Sequence, residues 1–193
     1  YLLRNSTGYP VETPPDGTNK ENITHLFGMI AVPTLQLQLS GHYYLIGNYA
    51  YLKNFYEAEQ QSAPFNVLQI RGSKDFRLSK FWHWYADVVL QKTAGNTPVN
   101  IPLLYLRNRI VFQGQFFKNL NLAVGLDSRY FTPYTADNYS PIAGQFFPQD
   151  SIRIANLPDI AAFLNFRIRS FSAFVRLENL NTLEMDGFSF TNN

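Results

Sequence analysis

Apolar and polar residues alternate along most of the chain with a period of two. The pattern is clearest over 34–40, where leucines alternate with glutamine and serine. Successive side chains of a β-strand point to opposite faces, so this period predicts strands with one apolar and one polar face. Eight such segments predict an all-β fold, and most of them are 9 to 14 residues long. The predicted strands are 23–31, 34–45, 66–76, 81–91, 103–116, 119–131, 158–168 and 171–180.

The connections between these predicted strands alternate between short and long. Short turns are predicted at 32–34, 78–80, 117–118 and 169–170, and long links at 53–64, 92–102 and 132–157. In an antiparallel meander this alternation places every short turn at one end of the sheet and every long link at the other. Outer-membrane barrels have this layout, with short periplasmic turns and long external loops.

The two faces of the predicted strands differ sharply in chemistry. In 119–131, Leu122, Val124 and Leu126 share one face, whereas Asp127 and Arg129 share the other. A bilayer supplies no water to charged groups, so the charged face must line an interior and the aliphatic face must meet lipid. The pattern therefore predicts a transmembrane antiparallel up-and-down β-barrel.

Charged residues in the interior phase are the best candidates for function. They allow two interpretations: an arginine-rich wall that sets solute selectivity electrostatically, or cross-strand ion pairs that fill and rigidify the interior. The predicted lumen residues are Arg71, Asp87, Arg107, Arg109, Asp127, Arg129, Asp159, Arg167, Arg176 and Glu178.

Two polar residues violate the predicted aliphatic face. Lys74 shares the phase of Leu68 and Ile70, but it lies close to a short turn, where a long side chain can reach the interface. Asn108 lies near the middle of its strand, and the sequence offers no explanation for it.

Composition strengthens the membrane interpretation. Aromatic and charged residues each make up 16% of the chain, whereas a soluble domain carries about 25% charged residues. Aromatic residues gather at the strand ends, as they do in the belts at the two membrane–water boundaries. The alternative is a soluble β-sandwich with an aromatic core, which strand length and loop sorting disfavour. The belt residues predicted near the short turns are Phe76, Trp82, Trp84, Phe116, Phe166 and Phe171.

The segment 132–156 is predicted to be a long external loop with an unusual number of rings. It could fold into the pore as a constriction, contact a partner, or pack its rings against the barrel rim. The aromatic residues of this loop are Tyr134, Tyr139, Phe146 and Phe147.

Several classes of function find no support. No run of about 20 apolar residues predicts a membrane-spanning helix. A net charge of +2 without a basic cluster argues against nucleic acid, and the absence of cysteine excludes disulfides and thiolate sites. His25, His42 and His83 fall in no catalytic or metal-binding motif, so we predict no catalytic residue, metal or cofactor. A membrane-embedded hydrolase, with His83 as its base, is the remaining enzymatic alternative.

Several segments resemble the putative porin family of Bacteroidetes outer membranes. The most specific match is the long loop and its flanks, and the other segments are individually weak. The resemblance rests on DSRYFTPY (127–134), ADNYSP (136–141), GQFF (144–147), QQSAPFNVL (60–68), KDFRL (74–78), PDI (158–160) and FLNF (163–166).

The resemblance implies a porin-like barrel of the bacterial outer membrane without a known substrate. Members of the family are longer and end in a strand that closes on an aromatic residue, which is absent here. We therefore expect 1–193 to be a single C-terminal portion of a larger barrel, with 1–22 belonging to an external loop. The expected function is passive diffusion of small solutes.

The alternative to a pore is a structural or interaction subunit of an outer-membrane secretion or uptake complex, without an open channel. The expected partners are outer-membrane lipid and lipopolysaccharide, together with other complex subunits or a second copy of the chain.

Overall fold

The computed structural model describes residues 19–117, 119–154 and 158–182, and these ranges form an all-β structure. In chain order the strands are β1 (Asn22–Val32), β2 (Leu37–Gly47), β3 (Tyr49–Leu52), β4 (Ala58–Gln61), β5 (Phe65–Arg77), β6 (Trp82–Ala94), β7 (Leu104–Phe116), β8 (Leu120–Phe131), β9 (Tyr134–Thr135), β10 (Asn138–Ser140), β11 (Gln145–Phe147), β12 (Arg153–Ile154), β13 (Asp159–Ile168) and β14 (Phe171–Leu177). The helical segments of these ranges are two short 3-10 turns, Pro33–Leu35 and Leu180–Thr182. Neither is long enough to cross a bilayer as a helix.

Eight long strands form one antiparallel sheet in the order β1-β2-β5-β6-β7-β8-β13-β14. The eight-stranded antiparallel sheet predicted from the alternation is confirmed. The short connections, beginning at Pro33, Leu78, Phe117 and Arg169, lie at one end of the sheet, which we call the turn end. The long connections lie at the opposite loop end, and there the remaining six strands form three small two-stranded sheets. Across the described ranges the sheet is open, with β1 and β14 as its edges.

Three of the predicted strand boundaries are wrong by three residues, and one of them is the end of β6, which continues to Ala94 rather than stopping at residue 91. Residues 34–36 do not continue β2, because Pro33 begins a 3-10 turn and Gln36 adopts a left-handed φ of 48°. Proline lacks a backbone N–H and favours the first position of such a turn. The last strand ends at Leu177 rather than residue 180, since Asn179 is also left-handed, at a φ of 58°.

Parts of four other predictions fall outside the described residues. These are residues 1–18 of the predicted loop 1–22, Lys118 of the predicted turn 117–118, residues 155–157 of the predicted link 132–157, and the segment beyond 182, where the closing strand was predicted to be absent. Asn22, the last residue of the predicted loop 1–22, belongs to β1.

The pairing keeps the two faces in phase across all eight strands. For example, Leu106 lies opposite Val88 and Tyr130, while its neighbour Arg107 lies opposite Asp87 and Arg129. We call the two surfaces the apolar face and the polar face. The apolar face contains the residues in phase with Leu39, Ile70, Val88, Ile110 and Leu126, and the polar face those in phase with His42, Arg71, Asp87, Arg109 and Asp127.

Exposure on the two faces is the reverse of that in a water-soluble sheet. Ile70 and Leu126 on the apolar face are each 50% exposed, whereas Val111 and Asp127 on the polar face are 1% and 2% exposed. A soluble antiparallel sheet buries its apolar side and hydrates the other. Here the middle of the charged side is enclosed, although Arg71 on β5 stays 57% exposed, and the aliphatic side of the described chain has no covering layer.

Both residues that violated the predicted apolar face have structural explanations. Trp84 donates its indole N–H to Asn108 Oδ1 at 3.2 Å, so the mid-strand amide accepts a hydrogen bond on the apolar face. Lys74 lies near the turn end, where its ammonium donates to the Leu35 carbonyl and lies 4.9 Å from the Phe76 ring centroid.

Two glycines allow aromatic rings to lie directly on the sheet. A Cβ at Gly114 would be 2.7 Å from the Phe81 ring on the apolar face. A Cβ at Gly125 would be 2.8 Å from the Phe163 ring and 2.3 Å from the Ile110 carbonyl oxygen. A strand glycine often marks such a close approach.

We predict that Gly125→Val destabilises the protein by about 3 kcal/mol, because backbone and ring must both move to admit the side chain. Urea unfolding of the refolded protein, followed by tryptophan fluorescence, measures this change. Gly28→Val on β1 is the matched control, since a Cβ there meets nothing within 4 Å; its effect should stay within about 1 kcal/mol. Equal stability of the two variants would contradict the assigned packing.

Candidate functional site on the polar face

The polar face carries nine of the ten predicted lumen residues within its strands, and Glu178 follows directly after β14. They are distributed over β5 (Arg71), β6 (Asp87), β7 (Arg107, Arg109), β8 (Asp127, Arg129), β13 (Asp159, Arg167) and β14 (Arg176). Strand alternation places them on one face, and antiparallel pairing brings residues far apart in sequence side by side.

Asp127 is the centre of the charged cluster. Arg107 binds it through two hydrogen bonds, from Nε to Oδ1 at 3.0 Å and from Nη2 to Oδ2 at 2.7 Å. Arg129 and Arg176 each bring a guanidinium nitrogen to 3.8 Å from Oδ2. One enclosed carboxylate therefore faces three guanidinium groups, and the two-point contact with Arg107 is the strongest type of charge-assisted hydrogen bonding.

The register explains why Asp127 bonds diagonally. Its direct partner across the strands is Arg109, while Arg107 lies opposite Arg129. Two like charges directly opposite each other are destabilising. The diagonal bond from Arg107 to Asp127 places a carboxylate beside both arginines of that pair and relieves their repulsion.

Arg109 is held by a ring instead of a carboxylate. Its guanidinium carbon is 4.5 Å from the centroid of Phe163, a cation–π distance. Within the described ranges it makes no ion pair, and its Nε is buried without a hydrogen-bond partner. Asp159 Oδ1 on β13 is likewise buried without a partner in this part of the chain.

The remaining predicted charges are paired separately from Asp127 or lie apart from the cluster. Arg71 lies 3.6 Å from Asp87, and Arg176 Nε donates to Glu178 Oε1 at 2.8 Å. Arg167 lies at the turn end and donates to the Arg169 carbonyl. Most of these charges are thus in ion pairs within the described ranges, while Arg109 is not.

Two further residues shape this site and were not singled out from the sequence. Phe163 and Gly125 are direct cross-strand partners, and Phe163 is 5% exposed. An aromatic residue in the interior phase opposite a strand glycine is the sequence signal that could have identified them.

All six predicted belt aromatics lie on the apolar face, close to the turn end. Phe76 stacks on Trp84 at 4.6 Å, Trp82 lies 5.3 Å from Phe112, and Phe166 lies 5.9 Å from Phe171. Phe116, the sixth, packs against Phe81 and Phe112. Cross-strand register brings rings from separate strands into one row.

The loop end has a small core of its own, built from two different long connections. Leu52, Ala143 and Phe147 are buried together, and Phe147 meets the Phe55 ring edge-on at 4.9 Å. The Ser140 hydroxyl donates to the Phe55 carbonyl. The connection between β8 and β13 is therefore fastened to the one between β2 and β5.

The four predicted loop aromatics have different environments. Phe147 is buried in the loop core, and Tyr134 meets the ring of Phe131, the last residue of β8, edge-on. Tyr139 and Phe146 pack on each other at 5.1 Å and stay exposed to solvent.

The third long connection joins this loop assembly through polar contacts. Asn100 donates to the Gln149 carbonyl at 3.1 Å. Burial raises the pKa of Asp137, and a hydrogen bond with Asn100 partly offsets the effect. Burial also raises the pKa of Tyr49, with contributions from the carboxylates of Glu21 and Asp137.

The histidines form contacts of two kinds. His25 Nε2 lies 3.1 Å from His42 Nδ1, and His83 Nδ1 lies 3.5 Å from Asp75 Oδ1. Among the described residues, no three histidine or carboxylate side chains are grouped so that they could hold a metal ion.

Long meandering strands, an exposed aliphatic face and a charged face enclosed at its centre define a class of all-β protein with the two-faced pattern of porins. The family model described as "Putative porin" matches residues 16–193, so the chain belongs to that family. This confirms the family predicted from the sequence motifs. Neither the curated proteins nor the solved structures include a significant match to the chain. Membership in a porin family favours a channel-like protein over an enzyme.

Asp127→Asn should destabilise the fold by about 3 kcal/mol, because three guanidinium groups would lose the carboxylate they face. Urea unfolding in detergent micelles measures the loss. The double variant Arg107→Leu/Asp127→Leu should recover part of it, since replacing both members of an enclosed pair costs less than removing one. A single variant as stable as the wild type would contradict the role of Asp127.

Asp137→Asn tests the loop assembly through its pH dependence. The pKa of the Asp137 carboxyl is higher in the folded protein than its usual value of 3.8. The protonated carboxyl therefore stabilises the fold at pH values below 3.8, and this stabilisation is lost as the pH rises through the pKa of the folded state. The variant should therefore be more stable than the wild type at pH 7. Its free energy of unfolding should also decrease less between pH 3.5 and pH 7. Urea unfolding at both pH values gives the comparison, and parallel pH profiles would show that Asp137 is not enclosed.

Proposed function

We propose that this chain is a portion of an outer-membrane β-barrel that lets small solutes diffuse passively through a charged lumen. The observation that carries the proposal is the inverted sheet, whose aliphatic face is exposed and whose charged face is enclosed around Val111, Asp127 and Phe163. Lipid is the solvent that suits such an aliphatic face, and the polar face then lines the interior.

The energetics of the apolar face agree with a lipid environment. A charge at mid-bilayer on a lipid-facing strand costs about 2–4 kcal/mol. Lys74 and Lys92 are the charged residues on the apolar face of the described strands, and each lies near a strand end. Between these ends, the face presents aliphatic and aromatic side chains, with Ser128 opposite Asn108 as its polar residues. The Asn108 amide is paired with Trp84.

The two edges of the sheet that are unpaired in the described part of the chain support the proposal of a larger barrel. The outer edges of β1 and β14 have no partner strand within the described ranges, and a membrane does not tolerate open sheet edges. If these eight strands closed on themselves, side chains would fill the interior and leave no channel. Additional strands pairing with β1 and β14 would widen the barrel enough to conduct.

Orientation follows from the sorting of connections. The turn end would face the periplasm and the loop end the exterior, where it would contact lipopolysaccharide. The row of aromatics near the turn end would lie at the periplasmic boundary of the bilayer.

A second candidate is a barrel subunit of an envelope complex, without an open pore. Two observations favour it: ion pairs around Asp127 occupy the polar face, and two long loops share a core across the loop end. In this case the exposed Tyr139–Phe146 pair would contact other subunits or a second copy of the chain.

Planar-bilayer recording of the full-length protein tests the proposed pore. Discrete current steps that grow with salt concentration are expected, because hydrated ions would pass through a water-filled lumen. Heat-denatured protein at the same concentration is the control for detergent and contaminants. Correctly inserted protein that passes no current would exclude the pore and favour the closed subunit.

A further inference from the structure

Arg109 differs from every arginine around Asp127. Arg107 has a two-point bond to the carboxylate, Arg129 lies near it, and Arg176 is shared between it and Glu178. Arg109 lies directly opposite Asp127 in the register, yet that carboxylate is engaged by Arg107. Its positive charge is therefore not balanced by a carboxylate of the described residues.

The position of Arg109 is nevertheless well defined. Phe163 lies under its guanidinium, and this ring can lie flat because its cross-strand partner is Gly125. The ring attracts the cation but accepts none of its N–H groups in conventional hydrogen bonds. The guanidinium is half-buried, and its buried Nε has no hydrogen-bond partner among the described residues.

A guanidinium group offers five donors in a planar fork that matches the oxygens of a carboxylate or phosphate. We propose that Arg109 is a binding subsite for the oxyanion group of a small solute, with Phe163 as its positioning residue. This deepens the proposed function, since it takes the polar face to be the wall along which solutes move.

Arg129 is placed to support the same anion. It is a diagonal neighbour of Arg109 in the register, about 7–8 Å away between backbones. Its guanidinium lies 3.8 Å from Asp127, beyond hydrogen-bonding distance, and 39% of its side chain is exposed. A second cation near the first favours anions over neutral and cationic solutes.

Calorimetric titration of the detergent-folded protein with inorganic phosphate, and separately with acetate, tests the subsite without requiring a channel. Arg109→Gln should weaken binding of both anions at least tenfold. Arg109→Lys should retain weak binding, because it keeps the charge but loses the fork. Phe163→Leu should weaken binding several-fold although the arginine is intact.

Lys80→Gln is the matched control. It removes one positive charge that also lies over a ring, 5.4 Å from the Phe81 centroid, but at the turn end. Its anion binding should equal that of the wild type. Wild-type affinity in Arg109→Gln, or an equal loss in Lys80→Gln, would overturn the subsite.

The two proposals can fail separately. Phosphate binding that depends on Arg109 in a protein that passes no current would support the subsite and exclude the pore. Current through a protein whose phosphate binding does not depend on Arg109 would support the pore and overturn the subsite.

Discussion

Unbroken cross-strand register is the constraint on which the other features of the sheet depend. Every paired residue from β1 to β14 keeps its side chain on the same face as its partners, and no bulge interrupts the pairing. A slip of one residue would exchange the two faces of a strand. In β8 such a slip would move Asp127 and Arg129 among the leucines of the apolar face.

The same register determines which charges meet on the polar face. It places Arg107 opposite Arg129, an unfavourable pair, and the diagonal bond to Asp127 compensates for it. Because Asp127 bonds to Arg107, Arg109 contacts the Phe163 ring instead of a carboxylate. The distribution of paired and unpaired cations is thus a consequence of strand alignment as well as of composition.

The alternation of residue types predicted the number of long strands, their phase and the sorting of their connections, because period and pairing are local properties of β-structure. It failed at Pro33 and Asn179, where backbone conformation overrides an apolar pattern. The indole partner of Asn108 could not be predicted, since a side-chain contact between strands requires the register to be known. The shared core of the long loops was also beyond prediction, because it joins segments that show no common periodicity.

Sequential strand order has a consequence for how the molecule assembles. Each long strand pairs with the preceding long strand in the chain, so most contacts close short loops and carry a low entropic cost. The contact between Phe55 and Ser140 spans 85 residues, so it closes a much longer loop at a higher entropic cost. The hairpins should therefore form early, and the joining of the long loops should be the final step that locks the strands' outer ends together.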